Sequence, residues 1–338
     1  MTDILSLSIE ELTIQLSELG YPQYRAKQVY EWLVRGCRDF QEMTNLPSSL
    51  RAELQNKYQL FAPIMLSKQV SKEDGTVKFL WGLNDGNSVE TVVMRYRYGN
   101  TVCISTQVGC RQGCAFCAST IGGLVRSLTA GEMVDEVLFS EKSSDLRVSN
   151  IVLMGIGEPL DNLEQVLKFL HLISAPEGRN IGMRHITLST CGLPEQMDRL
   201  AREQLPITLT VSLHAPDDET RSKIMPSNRG VPKLMEACER YFHSTGRRIS
   251  FEYSMISGVN DSVEQAVLLA GYAKRLGAHV NLIPLNYVEE RRLLSSNRND
   301  IDRFQSILEQ HGVNVTVRRR LGSDIDASCG QLRRKHVN

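Results

Sequence analysis

The chain has 338 residues, of which 41% are hydrophobic and 23% are charged. This length suits one large domain with an appendage, or two domains. Lys and Arg total 39, as do Asp and Glu, so net charge neither favours nor excludes a nucleic-acid partner. No basic stretch with an apolar core opens the chain, and no apolar run approaches the roughly 18 residues of a membrane span, so we expect a cytoplasmic protein with no membrane partner.

The first 62 residues have the pattern of a small helical unit. The segment "SIEELTIQLSELG" carries an N-cap at Ser8, a glutamate three residues later at Glu11 and a stop at Gly20. The segments "YRAKQVYEWLVRG" and "LPSSLRAELQNKY" predict two more helices. We predict an accessory domain over residues 1–62 that either packs on a larger unit or contacts a nucleic acid.

The next segment, residues 63–100, changes to a strand pattern. Turn signals at Asp85-Gly86-Asn87 and Gly99-Asn100 separate strand-like runs in "KFLWGLNDGNSVETVVMRYRYGN". This pattern predicts a β-hairpin that leads into the main domain.

Residues 101–290 alternate strand-like and helical segments six times, which is typical of a parallel sheet with helices outside. The predicted strands are "TVCISTQ", "NIVLMGI", "HITLST", "ITLTVSLHA", "RISFEYSMI" and "HVNLIPLN". A further strand, "NVTVRRR", lies in a C-terminal extension over residues 291–338.

Polar residues follow most of these strands, and they distinguish a barrel from an open doubly wound sheet. They are Cys110, Gly157 with Glu158, Ser189, Ser212 with His214, and Asn286. Functional groups at the carboxyl ends of successive strands are typical of a barrel. Six units rather than eight predict a partial (β/α)6 barrel in an α/β fold.

Three of the eight cysteines form a compact motif in "QVGCRQGCAFCAST", where Cys110, Cys114 and Cys117 have the spacing C-x3-C-x2-C. Clustered thiols without a secretion signal indicate metal binding or catalysis. A structural zinc site needs four ligands, and the nearest cysteine is Cys103, inside the preceding strand. A ferredoxin-type cluster also needs a fourth cysteine, usually in the same run. A third option is a four-iron cluster that is held by three thiolates and has one iron without a protein ligand. Zinc and a plain electron-transfer cluster stay as alternatives to it.

The third option resembles the radical S-adenosylmethionine (SAM) superfamily, whose motif follows the first strand of a half-barrel. In that family SAM supplies the missing ligand to a [4Fe-4S] cluster. The turn "MGIGEP" at 154–159 is similar to the family's turn for the SAM amino group. A dinucleotide-binding loop is excluded because position 160 is leucine.

Longer segments are similar to the RlmN/Cfr family of RNA adenine methyltransferases, and the resemblance covers nearly the whole chain. They are "ETVVMRYRYGNTVCISTQVGC", "LMGIGEPLDN", "VSLHAPDDETRSKIMP" and "ASCGQLRRK". The segment "CASTIGGLVRSLTAGEM" resembles the RlmN branch. This branch implies methylation at C2 of adenine in 23S rRNA and in a tRNA anticodon loop, with two SAM molecules consumed per turnover.

The resemblance also implies roles for three residues outside the cluster motif. Cys329 accepts a methyl group as S-methylcysteine, Cys103 releases the product through a transient disulfide, and Glu90 is the general base for the C2 proton. Each also has a plainer interpretation, a small buried thiol for the cysteines and an exposed strand carboxylate for Glu90.

The residues implied to bind SAM are Gly157, Glu158, Ser189, Ser212, Leu213, His214 and Asn286. The serines and Asn286 also fit strand-end caps, and His214 fits a buried imidazole. Cys37 and Cys238 are interpreted as packing residues, as is Cys191, although its closeness to Ser189 would also let it line the site.

RNA binding needs cations. They concentrate in 318–338, with Arg318, Arg319, Arg320, Arg333, Arg334 and Lys335, and in the loop "ERRLLSSNR". The alternative for both is a solubilising surface. The resemblance also implies a flavodoxin- or ferredoxin-type electron donor. Two rival functions stay open: another radical SAM enzyme, and a non-catalytic RNA-binding protein with a structural metal.

Overall fold

The computed structural model describes residues 2–325 and 332–333. A ten-stranded mixed sheet forms its centre. The strands are β1 Thr2–Asp3, β2 Tyr58–Gln59, β3 Ile64–Val70, β4 Val77–Gly82, β5 Ser88–Tyr96, β6 Gly99–Cys103, β7 Gln107–Gly109, β8 Leu124–Ser127, β9 Val148–Leu153, β10 Ile186–Thr190, β11 Thr208–Ser212, β12 Ser250–Met255, β13 His279–Pro284 and β14 Val315–Val317. The α-helices are α1 Ile9–Glu18, α2 Tyr24–Val34, α3 Ser48–Lys57, α4 Ala130–Ser144, α5 Leu163–Ser174, α6 Pro194–Arg202, α7 Asp218–Ile224, α8 Val231–Thr245, α9 Val263–Leu276 and α10 Arg298–Gln310.

The parallel part of the sheet contains the six predicted strands in chain order. It runs β6-β9-β10-β11-β12-β13 and ends with the seventh strand, β14, paired to β13. Helices α4, α5, α6, α8 and α9 connect these strands. The prediction of a partial barrel is therefore confirmed. Helices α7 and α10 were not predicted, and α10 packs on α9 beside β14.

Residues 64–96 form three antiparallel strands rather than the two of a hairpin. The predicted turn at Asp85–Asn87 joins β4 to β5, and β5 pairs with β6, so this extension continues the barrel sheet. Strand β3 adds an outer edge. Because β4 is buried along its whole length, the extension is part of the folded body.

The N-terminal helices pack directly on the barrel. Helix α1 has the predicted capping box, in which the Ser8 backbone N–H donates to Glu11 at 2.8 Å and the Glu11 N–H donates to the Ser8 hydroxyl. The side chain of Asp3 accepts a hydrogen bond from Thr129, the N-cap of α4, at 2.9 Å. The apolar residues of α1–α3 belong to the same continuous core as the barrel strands.

The C-terminal chain is held against the antiparallel extension. The Gly322 N–H donates to Asp74 at 2.8 Å, and the Lys72 N–H donates to Asp324 at 2.8 Å. Farther along, the Arg333 N–H donates to the carboxylate of Glu90. The chain is thus held at Gly322 and Asp324 by the turn between β3 and β4, and at Arg333 by β5.

No helix among the described residues is long and apolar enough to cross a membrane.

Candidate active site

A cavity of about 340 Å³ opens at the carboxyl ends of the parallel strands. Nine of the predicted site residues line it: Cys110, Cys114, Cys117, Gly157, Glu158, Ser189, Ser212, His214 and Asn286. These residues come from the ends of four parallel strands, β9, β10, β11 and β13, and from the loop that follows the first parallel strand, β6. The fold therefore gathers them as the barrel pattern predicts.

The cysteine loop has a fixed backbone. The Thr120 hydroxyl donates to the carbonyls of Cys114 and Cys117 at 3.2 and 3.0 Å. Arg291, in the loop after β13, donates to the Thr120 hydroxyl at 2.6 Å. The Arg291 side chain therefore fixes the cysteine loop, whereas its sequence context suggested an RNA contact.

The thiols of this loop suit an iron–sulfur cluster better than a single metal ion. Within residues 2–325 and 332–333, no group of three or more Cys, His, Asp or Glu side chains is placed to hold one ion. In a four-iron cluster each thiolate binds a different iron, so the ligands need not converge on one point. The three thiols border one shared cavity, and thiolates are the ligands that such a cluster takes. The donor set thus fits the cluster.

Cys191 lines the same cavity, as its closeness to Ser189 suggested. Burial and the neighbouring Glu158 carboxylate raise the pKa of its thiol. Cys191 lies outside the C-x3-C-x2-C motif, so it is interpreted as part of the wall of the cavity.

The turn after β9 packs so closely on a neighbouring segment that two of its positions require glycine. Gly157 has φ +113°, and a Cβ there would stand 2.7 Å from the side chain of Gln107. At Gly155 a Cβ would stand 2.5 Å from the Ile104 carbonyl oxygen. The turn is pressed onto the chain after β6, where the Glu158 N–H donates to Gln107 at 2.9 Å. Only glycine allows this approach at both positions.

Glu158 connects the ends of two neighbouring strands. One carboxylate oxygen accepts from the Leu160 N–H at 3.0 Å and from the Thr190 hydroxyl at 2.7 Å, and the other accepts from the Cys191 N–H at 2.8 Å. Burial raises its pKa, and these hydrogen bonds oppose the shift. The carboxylate therefore fixes the shape of the cavity wall and also faces the cavity.

His214 is held as a neutral ring. Its Nδ1 accepts the Ser254 N–H at 2.9 Å, which leaves the ring proton on Nε2. Burial, helped by the charge of Arg221, lowers its pKa to about 3. Its backbone is left-handed, with φ +55°. Such a ring can donate a hydrogen bond from Nε2 but carries no charge at neutral pH.

Two other residues predicted to bind SAM, Leu213 and Asn286, do not lie deep in the cavity wall. The side chain of Leu213 lies in the main core and does not line the cavity; its carbonyl accepts from Arg221. Asn286 is exposed at the rim. Ser189 and Ser212 lie side by side, with their hydroxyl oxygens 3.4 Å apart.

Glu252 on β12 is a cavity residue that the sequence analysis missed. It is 3% exposed, and one carboxylate oxygen accepts from Asn281 at 3.0 Å and from Arg318 at 2.7 Å. The other oxygen is buried without a partner among the described atoms. Glu252 lies opposite Ser212 in the sheet register. A glutamate inside the apolar run "RISFEYSMI" was the available signal.

Arg318 therefore points into the barrel, although the sequence placed it in a basic RNA-binding segment. Arg320 donates to the Leu285 carbonyl at 3.0 Å. The role of this segment in RNA binding stays a prediction.

Cys103 and Glu90 are not among the residues that line the cavity, and their side chains share one face of the sheet. Val92 stands opposite both Lys78 and Cys103, and Glu90 is two residues from Val92, so all four side chains point the same way. Lys78 is fully buried, and its ammonium is 2.8 Å from the Glu90 carboxylate. The interpretation of Glu90 as an exposed carboxylate is therefore wrong, since it is 3% exposed.

Cys103 has a thiol that holds its proton. Burial raises its pKa to about 12, and the Met154 N–H, Lys78 and Arg318 partly oppose this shift. All seven cysteines in the described part of the chain are free. Cys329 lies outside the described residues, so the transient disulfide stays a prediction.

Comparisons with known proteins identify the family. The model of the radical SAM superfamily matches residues 104–270, and that of the ribosomal RNA large subunit methyltransferase N-terminal domain matches residues 2–60. A "Probable dual-specificity RNA methyltransferase RlmN" of Lachnoclostridium phytofermentans is 51% identical over 99% of this chain and 95% of its own length. The chain belongs to the RlmN family of radical SAM RNA methyltransferases. Membership in this family implies a [4Fe-4S] cluster and SAM as cofactors.

Two further relatives of this RlmN-family chain match it over nearly its whole length, and one of them is a solved structure. The protein of the same name from Desulforamulus reducens is 52% identical over 99% of this chain and 96% of its own length. The crystal structure of a radical SAM methyltransferase from Sphaerobacter thermophilus has 43% identity and a TM-score of 0.91, covering 98% of this chain and 99% of its own. The similarity therefore includes the N-terminal helices and the antiparallel extension.

Proposed function

We propose that the protein methylates C2 of a specific adenine in 23S rRNA and in a tRNA anticodon loop, through an S-methylcysteine at Cys329. The main support is the single cavity lined by the three motif cysteines and by most of the residues expected to bind SAM. The name dual-specificity RNA methyltransferase, printed for the relatives, supplies the two RNA classes.

The need for a radical route follows from the target atom. C2 of adenine is an electron-poor aromatic carbon, and it cannot displace the methyl group of SAM as a nucleophile would. A cysteine thiolate can do so, and the family resemblance assigns this role to Cys329. The cluster and the second SAM, when bound, supply a carbon radical that removes one hydrogen atom from this S-methyl group.

The cavity residues hold and orient the second SAM. The three motif thiolates would hold the cluster, while Gly157 and Glu158 shape the wall beside it. Ser189, Ser212 and Asn286 offer polar groups around the same space, and the neutral His214 offers a donor at Nε2. The target adenine has to leave its base stack to reach this cavity.

Cys103 and Glu90 complete the reaction on the neighbouring face of the sheet. Glu90 takes the C2 proton, and Lys78 at 2.8 Å provides its counter-charge. The unpaired electron of the adduct would be taken up by the cluster, which is oxidised once SAM has been cleaved. Cys103 then attacks the sulfur of Cys329 as a thiolate, and the S–CH2 bond breaks. The released base takes up one proton to complete its methyl group, which leaves a Cys103–Cys329 disulfide. Burial raises the pKa of Cys103 to about 12, so its thiol has to lose its proton before it attacks. A flavodoxin- or ferredoxin-type donor and a reducing cytoplasm complete the proposal.

Nucleoside analysis tests this function. The protein, with its cluster reconstituted under anaerobic conditions, is incubated with SAM, dithionite and 23S rRNA or tRNA, and the digested RNA is analysed by mass spectrometry. We expect 2-methyladenosine in both RNAs and none with the Cys329→Ala variant. The proposal would fail with 8-methyladenosine as the product, or with RNA that is bound but unmodified.

A further inference from the structure

Arg221 on α7 is a buried cation with unusual partners. The residue is 2% exposed. Its guanidinium donates to the carbonyls of Ser212, Leu213 and Cys191, and its Nε donates to the side-chain oxygen of Asn228 at 3.0 Å. Within the described part of the chain, no carboxylate forms a salt bridge with it.

A buried charge with only neutral partners is costly. Arginine remains protonated in proteins, even though burial lowers the pKa of Arg221. Removing such a charge from water costs several kcal/mol unless an opposite charge compensates it. The carbonyls satisfy its hydrogen bonds but carry no net charge. An anion close to this guanidinium would account for its retention.

The fold brings Arg221 up to the cysteine loop. The Ile224 carbonyl at the end of α7 accepts the Ala115 N–H at 2.8 Å, which ties the helix to that loop. Arg221 also contacts the sulfur of Met225 at 3.1 Å, and Met225 packs in a small apolar cluster with Cys114.

We propose that Arg221 is the buried counter-charge of the iron–sulfur cluster and makes its one-electron reduction more favourable. This rests on the cluster of the proposed function. A four-iron core of charge 2+ with three thiolates has a net charge of −1. One electron from an external donor takes it to −2, and no bond or proton changes in this step. A fixed cation in low-dielectric surroundings stabilises the more negative state more strongly.

A purely structural role is the alternative, because Arg221 also ties the ends of β10 and β11 together. The midpoint potential of the cluster separates the two, since a tie between strand ends has no reason to change it. The measurement is a dithionite titration of the reconstituted full chain without SAM, followed by electron paramagnetic resonance.

Three variants with one control make the test specific. Arg221→Gln removes the charge and Arg221→Lys keeps it. Asn228→Asp sets a carboxylate beside the unchanged arginine, and it is made together with Asp218→Asn because the Asn228 amide donates to Asp218 at 2.8 Å. The control is Arg111→Gln. Arg111 is next to Cys110 in sequence, but its side chain is 61% exposed and paired with Asp161, so solvent screens its charge.

We expect Arg221→Gln and Asn228→Asp each to lower the equilibrium constant for reduction of the cluster at least tenfold. This corresponds to a midpoint potential that is lower by about 59 mV or more for one electron. In Arg221→Lys, which keeps the charge, and in Arg111→Gln, whose charge is screened by solvent, the same equilibrium constant should stay within about threefold of the parent value. If Arg221→Gln does not hold a cluster, the potential of Asn228→Asp distinguishes the electrostatic role of Arg221 from a purely structural one. An unchanged potential in cluster-loaded Asn228→Asp, or in cluster-loaded Arg221→Gln, would overturn the inference. Iron content is measured first, so a parent protein without a cluster contradicts the proposed function instead.

Discussion

Replacing Cys103 with alanine is expected to stop turnover and to leave the protein covalently joined to its RNA. Cys329 can still accept a methyl group in this variant, and the methylene radical can still add to C2. The thiol proposed to attack the sulfur of Cys329 is then missing, since that role belongs to Cys103 on the same face as Glu90 and Lys78. The adduct should therefore accumulate.

A denaturing gel with labelled RNA measures this result as a slow band that RNase removes. Cys238→Ala is the matched control, since Cys238 is a fully buried core residue of α8, and it should turn over without a band. The double variant Cys103→Ala, Cys329→Ala should show no band either. Normal turnover by Cys103→Ala, or the same band from Cys329→Ala, would contradict the two assigned roles.

Loss of any one motif cysteine should abolish the cluster and SAM cleavage together. Cys110, Cys114 and Cys117 border one cavity, and two thiolates cannot hold a four-iron cluster that also keeps an open iron. Each alanine variant is expected to lose nearly all iron and sulfide and to form no 5′-deoxyadenosine. Anaerobic reconstitution, metal analysis and chromatography of the SAM products measure all three.

Cys191→Ser provides the control for this prediction. Cys191 lines the same cavity, but its thiol is interpreted as part of the wall, so this variant should keep about the parent iron content. Iron retained by one of the three motif variants and lost from Cys191→Ser would show that the ligand set is assigned wrongly.

Much of the barrel could be predicted because its strands and helices carry strong local signals. The six strands are apolar runs between amphipathic helices, and caps such as Ser8 with Glu11 mark where helices begin. Helix α10 had comparable signals, an N-cap at Asn297 and buried residues at Ile301, Phe304 and Leu308, but it lay in a segment interpreted as an extension. Strand β3 was harder to predict, because an edge strand with exposed apolar residues lacks the alternation of a half-buried strand.

The site was predictable where chemistry follows a strand end and was not predictable where it depends on contacts between distant segments. Ser189, Ser212 and His214 were indicated by the family resemblance and by their positions after strands, and the structure places all three in one cavity. The pairing of Glu252 with Arg318 joins residues 66 positions apart, so the sequence indicated an RNA contact for Arg318 instead. Arg221 gave no signal, because its partners are backbone carbonyls. Leu213 was carried over with its neighbours, although its side chain packs in the core.

The number of deuterium atoms in the product tests the central claim, which is transfer through an S-methylcysteine radical. The protein is incubated over many turnovers with SAM carrying a trideuterated methyl group, and the 2-methyladenosine is analysed by mass spectrometry. One hydrogen atom is removed from the Cys329 methyl group before it joins C2, so the product should carry two deuterium atoms and the 5′-deoxyadenosine should carry one. A product that keeps all three would show direct methyl transfer and would contradict the proposed roles of Cys329 and Cys103.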